Sequence, residues 1–141
     1  MVGSRRIGDR GVVFLPGGKM KRDMDLVRRI LLELRQKDIQ SGWTDIELKD
    51  VEPIVVSYHI KIMEQGGLIE AYDDSSMHSD FEWKPLQITW DGHDFLDAAS
   101  NQSIWNQAKG RIAELGGAVS SDVFRLLLKT LVKQKLGLET E

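Results

Sequence analysis

The side chains best placed for chemistry fall in one short stretch, "SYHIKIMEQGGLIEAY", Ser57 to Tyr72. Val56, His59, Ile60 and Met63 recur at spacings of three and four and form one face of a helix. Tyr58, Lys61, Ile62 and Gln65 lie opposite, with Ser57 and Glu64 on the flanks. Ser57, Tyr58, Lys61 and Gln65 offer hydroxyl, ammonium and amide groups. Such groups meet phosphates and base edges in a DNA major groove, where a lysine reaches phosphate or guanine. A solvated helix face, or one covered by another segment, is the competing reading. Ile62 argues for covering, and Glu64, Glu70, Asp73 and Asp74 would repel phosphates.

A second group of polar residues is cationic. Arg5, Arg6, Arg10, Lys19, Lys21, Arg22, Arg28 and Arg29 crowd the first 29 positions. An arginine arm of this kind can enter a minor groove or neutralise phosphates, although an extension followed by a charged helix face looks the same. Further on, "DDSSMHSDFEWK" carries His78 and Lys84 among Asp73, Asp74, Asp80 and Glu82. Its cations could touch a nucleic-acid backbone, but so acidic a loop suits a protein partner or plain solvent.

Catalysis finds no constellation. The glycine pairs follow helices and cradle no phosphate, and no nucleophile sits in a recognisable turn. Asp91-Gly92-His93 could pass for a dyad, but a strand-to-helix cap accounts for it. None of the three histidines pairs at a ligand spacing such as HxxxH, so no metal and no cofactor are expected. Trp43, Trp90 and Trp105 stand in strand or helix patterns and are expected in the core; Trp83 is the one expected at the surface.

The elements that must position these residues follow from periodicity. Met24, Val27, Ile30, Leu31 and Leu34 predict a helix opened by Asp23 or Asp25 and ended before Gly42. "GWTDIELKDV" alternates, with Thr44, Ile46 and Leu48 on one side, and predicts a short strand; a helix, favoured by its Glu, Leu and Lys, is the competing reading. Pro53 opens the helix of Val56 to Met63, and Gly66-Gly67 stops it. "LIEAYDD" and "EWKPLQITW" predict a hairpin, the second strand showing Leu86, Ile88 and Trp90 on one face. Thr89 or Asp91 then caps a helix that buries Phe95, Leu96 and Ala99. Two more helices close the chain, the last capped by Ser120 or Ser121. Its stripe of Phe124, Leu127, Leu128, Leu131 and Val132 is wide enough to demand burial, against this chain or a second copy.

Composition bounds the remaining possibilities. The 141 residues suit one domain with an appended arm or helix pair, and 41% hydrophobic with 29% charged residues is ordinary for a globular chain. There is no cysteine, which excludes disulfides and thiolate metal sites and fits a cytoplasmic location. No apolar run approaches a membrane span, and the N-terminus lacks the layout of a secretory signal. The net charge of −3 is unevenly spread. Residues 1–37 hold ten Lys and Arg against four Asp and Glu, a net +6, whereas residues 38–80 hold two against ten, a net −8. Nucleic-acid binders gather positive charge on the contact face, so an acidic middle weighs against contact there.

Four strings, "MKRDMDLVRRILLEL", "VSYHIKIMEQGGLIEA", "LQITWDGHDFLDAA" and "IWNQAKGRIAELGGAVSSDVFRLLLKTLVKQKLGL", together resemble a bacterial and phage-borne family of small proteins known as a domain of unknown function. The resemblance covers roughly Met20 to Leu138, and "TWDGHDFLDAA" and "VSYHIK" are its most specific parts. It implies a winged-helix core but no activity and no site residues.

The expected fold is therefore α+β: a basic arm over 1–19, a winged helix-turn-helix with a two-stranded wing over 20–100, and a C-terminal helical pair over 101–141. The expected function is a non-enzymatic, phage-type transcriptional regulator that binds double-stranded DNA. Ser57, Tyr58, Lys61, Gln65, Lys84, Lys21, Arg22, Arg28, Arg5 and Arg6 would make the contacts. Phe124, Leu127, Leu128 and Leu131 would form a homodimer interface. The alternative is a winged-helix module that binds a protein through its acidic middle and wing, without DNA.

Overall fold

The computed structural model describes residues 20–37, 45–76 and 81–138. Arg5, Arg6 and the rest of the arm, with Trp43, Thr44 and His78, lie outside the described residues. The elements run α1 (Met24–Arg35), α2 (Pro53–Gln65), β1 (Ile69–Asp73), β2 (Trp83–Ile88), α3 (Trp90–Ala99), α4 (Gln102–Ala113) and α5 (Ser121–Lys135). This is a mixed α+β chain with one two-stranded sheet among the described residues. It divides into two compact units, Met1–Gly92 and His93–Glu141.

In the first unit, α1 opens on Asp23, whose carboxylate accepts the Asp25 and Leu26 N–H groups at 3.0 and 3.3 Å. Those two donors have no carbonyl partner inside the helix, so the cap satisfies them. Leu26, Val27, Ile30, Leu31 and Leu34 are buried, as their spacing requires. The second helix starts at Pro53, whose missing N–H costs nothing there. It buries Val55, Val56, Ile60 and Met63. Each such side chain contributes roughly 1.5–3 kcal/mol when fully buried. Gly67, at φ +82°, ends the helix and lets the Leu68 N–H return to the Met63 carbonyl at 2.9 Å.

The hairpin is antiparallel, pairing Ile69 with Ile88 and Glu70 with Gln87, and then Ala71 with Pro85. Leu86 is the extra residue of a β-bulge. The bulge shifts the alternation, so Pro85 is buried while Leu86 is only half-buried. A proline lacks the N–H that a regular ladder would use, and a bulge tolerates it.

Two expectations fail here. The described part of the predicted strand, Asp45 to Val51, has no ladder partner and ends in a turn at Lys49–Asp50. Ile46 and Leu48 are still half-buried while Asp45 and Glu47 are exposed, so the alternation encoded which side packs but not a strand. Trp90 is not in the core: it is 82% exposed. The strand ends at Ile88 and Thr89 caps the next helix, so the period-two pattern no longer applies at Trp90.

In the second unit, Asn101 caps α4 through the Ile104 N–H and Ser120 caps α5 through the Val123 N–H. Trp105 is fully buried, stacked on Phe124 at 5.1 Å between ring centroids and edge-on to Phe95 at 6.3 Å. Phe124, Leu128 and Leu131 are buried by the chain itself and Leu127 is half-buried. Of the four residues expected to face a second copy, α5 therefore turns three towards the core of this chain and leaves Leu127 partly open. Val123 and Leu126 are the apolar residues that α5 exposes.

Candidate interaction face

The outer face of α2 is built by what its inner face binds. His59 is 1% exposed. Its Nε2 accepts the Asp23 backbone N–H at 2.9 Å and its Nδ1 lies 2.9 Å from the Val55 carbonyl. An acceptor on one side and a carbonyl on the other require the neutral ring with the proton on Nδ1. Burial lowers the pKa of this ring, opposed by the Val55 carbonyl and the Asp23 charge. The helix is thereby pinned to the start of α1. Arg29 adds a second tie, gripping both Asp50 carboxylate oxygens at 2.8 and 2.9 Å just ahead of α2. The hydrogen bond to Asp50 raises the Arg29 pKa against the effect of burial.

With α2 so oriented, the four residues expected to meet a groove separate. Ser57 is 8% exposed, and its hydroxyl accepts the Trp83 N–H at 3.3 Å. It lies under the start of β2 and not on the outer face, because a small hydroxyl fits where the hairpin crosses the helix. Tyr58 is half-buried and meets His59 edge-on; Gln65 is exposed. Lys61 is half-buried, its ammonium 5.7 Å from the Phe81 ring centroid. Ile54, 43% exposed, Tyr58 and Ile62 recur every four residues, so the outward side carries an apolar stripe.

The hairpin cation is also occupied. Lys84 donates to Asp45 and lies 3.0 Å from Glu82, and its side chain is 16% exposed. The hydrogen bond to Asp45, followed by that to Glu82, raises its pKa against the effect of burial. Beyond it, the Ser75 N–H and hydroxyl tie the loop to Asp73 and Glu82, and the Ser75 contacts lower the Asp73 pKa. Lys21 and Arg22 are exposed just ahead of α1, and Arg28 is half-buried on it. Among the described residues no group of three His, Asp or Glu is placed to hold a metal ion. No described helix is long and apolar enough to cross a membrane.

Residues 21–118 match the family described as "Hypothetical protein (DUF2513)". The chain belongs to this family. A relative from Haemophilus influenzae, itself described as "Uncharacterized protein", is 33% identical over 124 residues, which cover 84% of this chain and all of the relative. No solved structure matches. The family match includes α1, α2, the hairpin, α3 and α4 and stops ahead of α5.

Nothing in the local residue pattern announces the Lys84–Asp45 pair, whose partners stand 39 residues apart.

Proposed function

We propose that this chain is a non-enzymatic winged-helix module that binds a protein partner through the outer face of α2 and the hairpin. The observation that carries this reading is the state of Lys84. A wing lysine that contacts DNA has to offer its charge outward, and this one is held between Asp45 and Glu82. The surroundings support the same reading: Ser57 is inside, Lys61 rests on Phe81, and Ile54, Tyr58 and Ile62 offer apolar area to a partner. Titration of the full chain against random-sequence duplex, at low and at moderate salt, tests it. No salt-sensitive binding at micromolar protein is expected. Salt-sensitive binding that disappears in the double variant Tyr58→Ala, Lys61→Ala would overturn it.

A second reading, a cytoplasmic phage-type regulator that binds double-stranded DNA, is favoured by Lys21 and Arg22, exposed beside the most cationic part of the chain. In the same titration, binding lost on Lys21→Ala, Arg22→Ala but kept on Lys61→Ala would select contact through that basic end.

A further inference from the structure

Trp90 is the first residue of α3, yet 82% of its surface is exposed. An indole in water leaves on the order of 200 Å² of largely apolar surface without a partner. The exposure comes from a rigid mount. The Thr89 N–H donates to the Leu68 carbonyl at 3.0 Å. Its hydroxyl donates to the Gly67 carbonyl at 2.5 Å and accepts the Gly92 N–H at 3.0 Å. Gly92 lies so close to the hairpin that a Cβ there would stand 2.0 Å from the Leu68 oxygen. With Thr89 and Gly92 both fixed, the backbone between them is held in place, and Trp90 and Asp91 are both exposed.

The chemistry around the indole selects what it would meet. Asp91 follows it and is exposed. Glu70 is exposed on β1 at the end of the hairpin that feeds α3, and it accepts a hydrogen bond from its cross-strand neighbour Gln87 at 2.9 Å. These carboxylates repel phosphates, so a nucleobase or an anionic lipid headgroup is disfavoured on the indole. A cation is favoured. Lys61 lies over Phe81 and Arg125 over Phe95 in the same molecule, whereas among the described residues no ring or cation is packed on Trp90. A planar guanidinium can stack on an indole face while pairing with a neighbouring carboxylate, which an ammonium does less well.

We propose that Trp90, with Asp91 beside it, is a docking point for an arginine side chain presented by a protein partner. The assignment does not depend on what the outer face of α2 binds. It can be tested on the ¹⁵N-labelled full chain by following the indole N–H signal of Trp90, identified by its absence from Trp90→Phe. The probe is an acetylated, amidated Gly-Arg-Gly peptide, compared with its citrulline and lysine counterparts and with a short single-stranded oligonucleotide. The arginine peptide is expected to shift the Trp90 signal. The citrulline peptide, alike in shape but uncharged, should not, and Asp91→Asn should weaken the arginine response about threefold. Trp90→Ala should remove the accompanying shift of the Asp91 amide while the other backbone signals stay in place. A Trp90 signal that does not move at millimolar arginine peptide overturns the proposal. So does one that moves equally with citrulline or lysine, or more with the oligonucleotide.

Discussion

The imidazole of His59 takes the Asp23 backbone N–H on Nε2 and faces the Val55 carbonyl with Nδ1, each at 2.9 Å, so one buried ring joins the start of α1 to the body of α2. A second proton on this ring would aim Nε2–H at an N–H donor and break the tie. The ordinary histidine pKa is about 6.5, and burial lowers it here. Between the folded and unfolded values the unfolded chain binds more protons, so stability rises with pH in that window. The contribution is fully present above the unfolded value and is lost as pH falls below about 6.5 towards the lower folded value. Urea denaturation at about pH 8 and about pH 5.5 should show the loss. His59→Gln should be less stable by about 1–3 kcal/mol at the higher pH and should lose this part of the pH dependence. An unchanged slope in the variant would assign the dependence elsewhere.

Two glycines in helices should respond oppositely to alanine. At Gly92 a Cβ would meet the Leu68 carbonyl oxygen at 2.0 Å and the Ile88 side chain at 2.7 Å. Backbone must move, and Gly92→Ala should cost at least about 1–3 kcal/mol. Gly110 lies inside α4, and a methyl group there would have nothing within 4 Å, so Gly110→Ala should stabilise by about 0.5–1 kcal/mol. Thermal midpoints of the two variants check both signs. A Gly92→Ala protein as stable as its parent would mean that the junction before α3 is looser than these distances state.

What the chain revealed in advance was what is settled within about four residues. Asp23, Pro53, Gly67, Thr89 and Ser120 open or close their elements because a cap needs only its own first turn. The core faces of α1 and α2 were legible for the same reason, through their spacing. The candidate site was less legible because distant partners decide it. Ser57 is covered by Trp83, 26 residues on, and Lys84 by Asp45, 39 residues back. No local pattern separates a serine that faces a groove from one that receives a strand. The bulge at Leu86 and the helix start at Trp90 each break a period of two that the residue types alone continue.

Ser57 should behave as a structural residue. Its hydroxyl is the acceptor for the Trp83 N–H, and Ser57→Ala leaves that donor without it. The expected cost is about 1–2 kcal/mol. Hydrogen exchange at the Trp83 amide should accelerate, and more than at the amides of α5. A variant with parental stability but altered partner binding would return Ser57 to the contact surface.

Lys84 offers the sharpest separation between the two readings of the α2 face. Its ammonium holds Asp45, whose side chain is 65% exposed, and Glu82, at 36%. Exposed partners are screened by solvent, so Lys84→Met should cost only about 0.5–1 kcal/mol of stability. It should also free the Asp45 segment, visible as faster exchange at the Val51 amide, which the Leu48 carbonyl holds at 3.2 Å. If the lysine is committed to these two carboxylates, its removal adds net negative charge but takes no contact away from a duplex. Any duplex affinity should then fall less on Lys84→Met than on Lys61→Ala. A larger loss at Lys84, with a shallower dependence on salt, would show that the ammonium leaves Asp45 and Glu82 for phosphate, and the DNA-binding reading would then be preferred.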